Sequence, residues 1–230
     1  MESIRENVRR VQERIAEAAV RAGRDPSSVT LVAASKTQDP EKIREAYAAG
    51  IRVFGENRAQ ELRDKREAYG DAAVHMIGHL QTNKANMVAG HCDLVESVDS
   101  LRLAAALNNA AAKAGVVQDV LAEINIAEEP EKSGLLPGEL DAFLDGFVDF
   151  SHLRLRGLMT IGPKPENETA NRKYFEKTYS IFLDKREKAC NNIVMEIMSM
   201  GMSHDFETAI LAGATMVRVG SAIFGQRVYP

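Results

Sequence analysis

A lysine set just past a short apolar run is the first residue here whose position suggests chemistry. In the segment Leu31 to Thr37 (LVAASKT), Lys36 stands two residues beyond the apolar stretch that ends at Ala34. If that stretch is a strand entering the C-terminal mouth of a barrel, its last side chain reaches the place where barrels carry out reactions. Low dielectric there lowers an ammonium pKa, and the neutral amine is a nucleophile toward aldehydes. The competing reading is a solvated loop lysine, since buried lysine is rare and loop lysine common.

Two segments near the other end of the chain suit an anion. In SMGMSHDFETAILAG, a strand passes through Gly201 and Ser203 toward a helical pattern whose first N–H groups have no intrahelical partner. A plain N-cap is the alternative for Ser203. In ATMVRVGSAIFG, Arg218 ends a strand, Gly220 lets the backbone approach a phosphate closely, and Ser221 adds a hydroxyl donor. Barrels often build a phosphate site from the loops after strands seven and eight, so the two segments together mean more than either alone. A structural ion pair is the alternative for Arg218.

Other reactive side chains point to less. His75 and His79 lie four apart without the following Glu of a zinc-protease helix, and a polar structural role suits them as well as a place at the mouth. His91-Cys92 has no partner at zinc spacing, so no metal is expected. Tyr47, Tyr69 and Tyr174 fall in helical patterns as packing or surface residues. The methionines of 195–202 read as core around strand seven. Cys92 and Cys190 lie far apart, as free thiols in a reducing cytosol do.

Positioning Lys36 against the C-terminal segments requires a sheet that brings both ends of the chain together. The run 29–34 is short, apolar and β-branched, as a strand buried on both faces would be, and further strand candidates fall at 52–55, 73–77, 93–97, 117–125, 153–159, 193–198 and 215–219. Helical patterns fall between them, near 40–49, 57–68, 83–90, 100–114, 137–148, 167–191 and 204–212. Eight such units predict a single (β/α)8 TIM-type barrel, with an open doubly wound sheet as the competing arrangement. An extra N-terminal helix precedes it, with Ile4, Val8, Val11, Ile15 and Ala19 on one face and Gly23 as C-cap. The segments 126–137 and 162–170 read as loops after strands five and six. No linker divides residues 1–230, so one domain is expected.

Composition narrows the partners. A net charge of −4 provides no field favouring nucleic acid or an anionic membrane. With no Trp and 6% aromatic residues, a base-stacking surface is not expected. No apolar run approaches the roughly 20 residues of a membrane span, and the charged N-terminal helix is no secretory leader. A cytoplasmic protein is expected.

At the level of whole motifs, the chain resembles the pyridoxal phosphate homeostasis proteins, whose fold is shared with the N-terminal barrel of bacterial alanine racemase. The resemblance is carried by VAASKT (32–37), FGENRAQEL (54–62), HMIGHLQTNK (75–84), INIAEEPEKSGL (124–135), RGLMTIGP (156–163) and the segment 199–227. It implies that Lys36 forms a Schiff base with pyridoxal 5′-phosphate, that Ser203, Gly220 and Ser221 hold the phosphate, and that Arg218 faces the pyridine nitrogen. Asn57 and Met159 are implied to line the ring. Ser221 stands where the family usually has threonine and keeps the hydroxyl, whereas Gln38 replaces a frequent second lysine. Lys132 matches a family lysine and is a candidate for a part in cofactor exchange. The implied function is buffering or delivery of the cofactor to apo-enzymes by a monomer without turnover. An amino-acid racemase and a cofactor-free Schiff-base aldolase are the alternatives.

Overall fold

In the computed structural model, which describes residues 3–163, 171–187 and 191–225, the apolar runs form eight parallel strands. These are β1 (Thr30–Ala34), β2 (Val53–Glu56), β3 (Ala73–Met76), β4 (Leu94–Val98), β5 (Gln118–Ile124), β6 (Leu153–Thr160), β7 (Ile193–Ser199) and β8 (Met216–Val219). Each lies within one residue of its predicted bounds at either end. They pair in chain order, and β8 returns to β1 with Val32 opposite Arg218 and Ala33 opposite Val219. The sheet is therefore a closed barrel, and the open-sheet arrangement is ruled out.

Strand alternation sends side chains to two separate clusters. Val32, Ile77, Leu94, Leu121, Met159 and Met216 pack together inside the barrel. Ala33, Phe54, Val95, Val120 and Leu158 point the other way into the larger core beneath the helices. Gly157 turns at φ +152 where β6 and β7 shift register, and a Cβ there would stand 1.9 Å from the Ile197 carbonyl oxygen. Only glycine lets the two strands approach so closely.

The outer layer holds α1 (Ile4–Arg21), α2 (Pro40–Ala48), α3 (Ala59–Asp64), α4 (Ala85–Val88), α5 (Leu101–Ala114), α6 (Leu140–Phe147), α7 (Arg172–Arg186), α8 (Phe206–Leu211) and α9 (Ser221–Phe224). Where long helices are predicted near 57–68 and 83–90, the chain instead combines short α-helices with 3₁₀ turns at Arg66–Ala68 and Thr82–Lys84. The turn α9 has no counterpart in the sequence reading, because four residues carry no period. Cys190 and most of the loop 162–170 lie outside the described residues.

The extra helix α1 begins with a capping box: Ser3 Oγ accepts from Glu6 N–H, and the Glu6 carboxylate accepts from Ser3 N–H. Its predicted apolar face is buried, and the helix packs on α8, α9 and α2. Two contacts fix it there. Asn7 Nδ2 donates to the Ile223 carbonyl at 3.0 Å, and Arg14 pairs with Glu207 at 2.7 Å while lying over the Phe206 ring. The N-terminal helix thus braces the two helices that follow β7 and β8.

Candidate functional site

At the end of β1, alternation continues for two residues. Ala34 faces the barrel, Ser35 faces outward, and Lys36 turns back toward the mouth. There Lys36, Ser203, Arg218, Gly220 and Ser221 line one cavity of about 440 Å³, together with Ala34, Gln38, Met202, His204 and Gly225. That volume falls within the range of small-ligand sites. Closure of β8 onto β1 is what joins residues from the two ends of the chain. His204 joins the lining without being singled out by its sequence context, and so does Met202, which is exposed at the mouth and not in the core expected for the methionines of 195–202.

Ser203 has a different job from the N-cap considered for it. The helix α8 begins at Phe206, with Asp205 in the N-cap position. Ser203 Oγ instead accepts from the backbone N–H groups of Gly220 (3.1 Å) and Ala222 (3.3 Å), at the start of α9. The hydroxyl therefore joins the loop after β7 to the loop after β8. Glycine suits this crossing, since a Cβ on Gly220 would sit tightly against the Ala34 carbonyl oxygen at 3.3 Å.

Arg218 is 4% exposed and is held on several sides. Its Nη1 donates to Ser199 Oγ at 2.6 Å and its Nη2 to the Thr160 carbonyl at 2.8 Å. Ser199 Oγ in turn donates to Glu96 Oε2 at 2.6 Å, and His75 Nδ1 meets Glu96 Oε1 at 2.7 Å. Burial raises the Glu96 pKa, but the His75 contact, the charges of His75 and Arg218 and the Ser199 hydroxyl outweigh it and hold the group below 4.5. Burial pulls the Arg218 guanidinium down, against the charges of Glu96, Glu123 and Asp205. Glu123 is a nearly buried carboxyl whose pKa is raised to about 7, first by burial and then by Asp99, with Arg218 opposing.

The remaining candidates, Asn57 and Met159 included, are not among the residues that line this cavity. Met159 is fully buried in the cluster inside the barrel. Asn57 follows β2, and its Oδ1 is buried without a hydrogen-bond partner. His79 is largely exposed and sits 3.4 Å from Asp99. Lys132 pairs with Glu129 at 2.8 Å, in a loop organised by the Asn125 side chain. Tyr69 is fully buried and donates to Glu56. The Cys92 thiol is buried and pushed up to about 12, which makes it inert as a nucleophile at neutral pH. Sequence reading passes over Glu96 and Glu123. The available signal is a carboxylate at an inward position of an apolar strand, in LVESV and VLAEI.

Comparison with known proteins gives a consistent result. The family described as alanine racemase, N-terminal domain, matches residues 1–228. A protein of Aquifex aeolicus named pyridoxal phosphate homeostasis protein is 43% identical over 97% of this chain and 98% of its own length. A protein of the same name from Pseudomonas aeruginosa is 40% identical over 100% and 98%. Among solved structures, PipY of Synechococcus elongatus with PLP bound is 34% identical, covers 94% of this chain and 100% of its own, and superposes with a TM-score of 0.80.

Proposed function

This chain belongs to the pyridoxal phosphate homeostasis protein family, and from that premise we propose that it binds pyridoxal 5′-phosphate covalently at Lys36 and buffers or delivers it. The observation that carries the proposal is the single cavity shared by Lys36 and the phosphate-suited residues Ser203, Gly220 and Ser221. The bound PLP of PipY supports it.

The residues present suit this ligand. Asn57 has a buried carbonyl oxygen with no protein partner, and Gly220 leaves space that a Cβ would fill. When bound, pyridoxal phosphate supplies an aldehyde that condenses reversibly with primary amines. Lys36 would provide the amine as a Schiff base, Ser203, Gly220 and Ser221 would hold the phosphate, and Asn57 and Met159 would flank the ring. Arg218 would face the ring nitrogen. A guanidinium accepts no proton, so the bound ring would be a weaker electron sink than one paired with a carboxylate. Racemisation needs acid–base groups on both faces of the substrate, and the cavity offers His204 as its one titratable side chain besides Lys36 and Arg218 among the described residues. We therefore read the protein as holding and exchanging the cofactor without turnover, as one cytoplasmic domain acting as a monomer and passing pyridoxal phosphate to apo-enzymes. Lys132 remains a candidate for a part in that exchange.

Absorption spectroscopy tests the reading directly. The reconstituted protein should show a band near the visible edge, borohydride should fix the label on Lys36, and Lys36→Ala should abolish both. A colourless protein that added cofactor leaves unchanged would defeat the proposal and favour an aldolase. The match to the racemase domain also motivates incubation with L-alanine in deuterated water. Cα exchange at enzyme-like rates would replace the homeostasis reading with a racemase.

A further inference from the structure

Behind the β1 exit, on the side away from the cavity, lies a buried ionic cluster that ligand binding does not use. Lys65 has 11% of its side chain exposed and Glu56 none. Glu56 Oε1 accepts from Ser35 Oγ at 2.6 Å, Tyr69 Oη at 2.9 Å and Lys65 Nζ at 3.2 Å, while its Oε2 is buried without a partner. Lys65 Nζ also donates to the Ser35 carbonyl at 3.1 Å and to Glu61. Glu61 in turn accepts from Thr37 N–H at 3.0 Å.

These contacts fall on the two residues that flank Lys36. Ser35 is held through its hydroxyl, its carbonyl and its N–H, the last donating to Gly55 at 3.0 Å. Thr37 is held in the left-handed region at φ +63, a conformation a β-branched residue rarely adopts unless its surroundings impose it. A buried ion pair is weak evidence for stability, because well-packed apolar residues often serve as well. What apolar residues cannot do is grip a backbone carbonyl and an N–H on either side of one residue. We infer that Lys65, Glu61 and Glu56 are positioning residues that fix the backbone of residues 35–37 and so aim the Lys36 amine into the cavity. The inference rests on the proposed role of Lys36.

The test compares two probes on the intact protein: pyridoxal 5′-phosphate, and pyridoxine 5′-phosphate, which has the same ring and phosphate but an alcohol in place of the aldehyde. Lys65→Met should weaken the aldehyde probe by about tenfold or more and the alcohol probe by less than about twofold, since misaiming affects the bond-forming amine alone. Lys65→Arg, which keeps the donors, should recover most of the loss. Without any ligand, cyanate modification of Lys36, mapped by peptide mass, should change rate by about threefold or more in Lys65→Met, as a misplaced amine requires. Equal weakening of both probes, or no change in either, would overturn the inference. If Lys65→Met does not fold, Glu61→Ala carries the same expectations. If the native protein binds no pyridoxal phosphate, the function reading fails by itself, and the cyanate rates still decide whether the cluster aims Lys36.

Discussion

Glu96 and Arg218 illustrate what a buried charge requires of its neighbours. Each is nearly or wholly buried, and Ser199 bridges them. Removing one partner strands the other, so Arg218→Met should cost about 3–5 kcal/mol in denaturant unfolding. The double variant Glu96→Gln/Arg218→Met should cost less than the two single changes added, with a coupling of about 1 kcal/mol or more. Glu123 makes a pH prediction. Its pKa is about 7 in the folded chain against 4.5 for the free group, so the folded state keeps a proton that the unfolded state releases first. Stability from this group is therefore undiminished below pH 4.5, falls as pH rises through the window to 7, and stays reduced above it, by on the order of 3 kcal/mol. Glu123→Gln should remove that slope and raise the melting temperature at pH 8. Lys36 and Ser203 stand out in sequence because they fall just past strand-like runs, and Arg218 because it comes near the end of one, two residues before Gly220. The Lys65 cluster is not, since its members come from β1, β2 and the α3 region, and only the Glu61–Lys65 spacing hints at contact.

Strands and helices differ in how much of themselves the residue pattern reveals. A strand covered on both faces favours an apolar run, as in β1. Glu96 interrupts β4 and Arg154 and Arg156 interrupt β6, so the eight are located by strand-like segments alternating with helical patterns. Short turns such as α9 have no such need, and their form follows from what they meet, here Ser203 Oγ and the carbonyl end of β1. Register is set more by single residues than by pattern. Gly157→Ala would drive a methyl group into the Ile197 carbonyl at the β6–β7 shift. The expected loss is about 3 kcal/mol or more, read as a fall of roughly 6–12 °C in a calorimetric scan. A smaller effect would mean that the two strands separate more easily than their geometry implies.

For the molecule as a whole, the barrel closes on itself and α1 packs on α2, α8 and α9. Among the described residues, no helix is long and apolar enough to cross a membrane. The contact from Asn7 to Ile223 ties the first helix to the last, and Asn7→Ala should leave that carbonyl without its donor at a cost of about 1–2 kcal/mol in denaturant unfolding. The same change should speed hydrogen exchange at the amides of α9, whose protection reports local opening. The seam between β1 and β8 has a consequence in time as well as in space. Lys36 leaves the ribosome long before the cavity residues that follow β7 and β8. Until strand eight is synthesised and docked, Lys36 has no anion cradle beside it. On the proposed function, capture of the cofactor would mark only chains that have been translated through β8 and have closed.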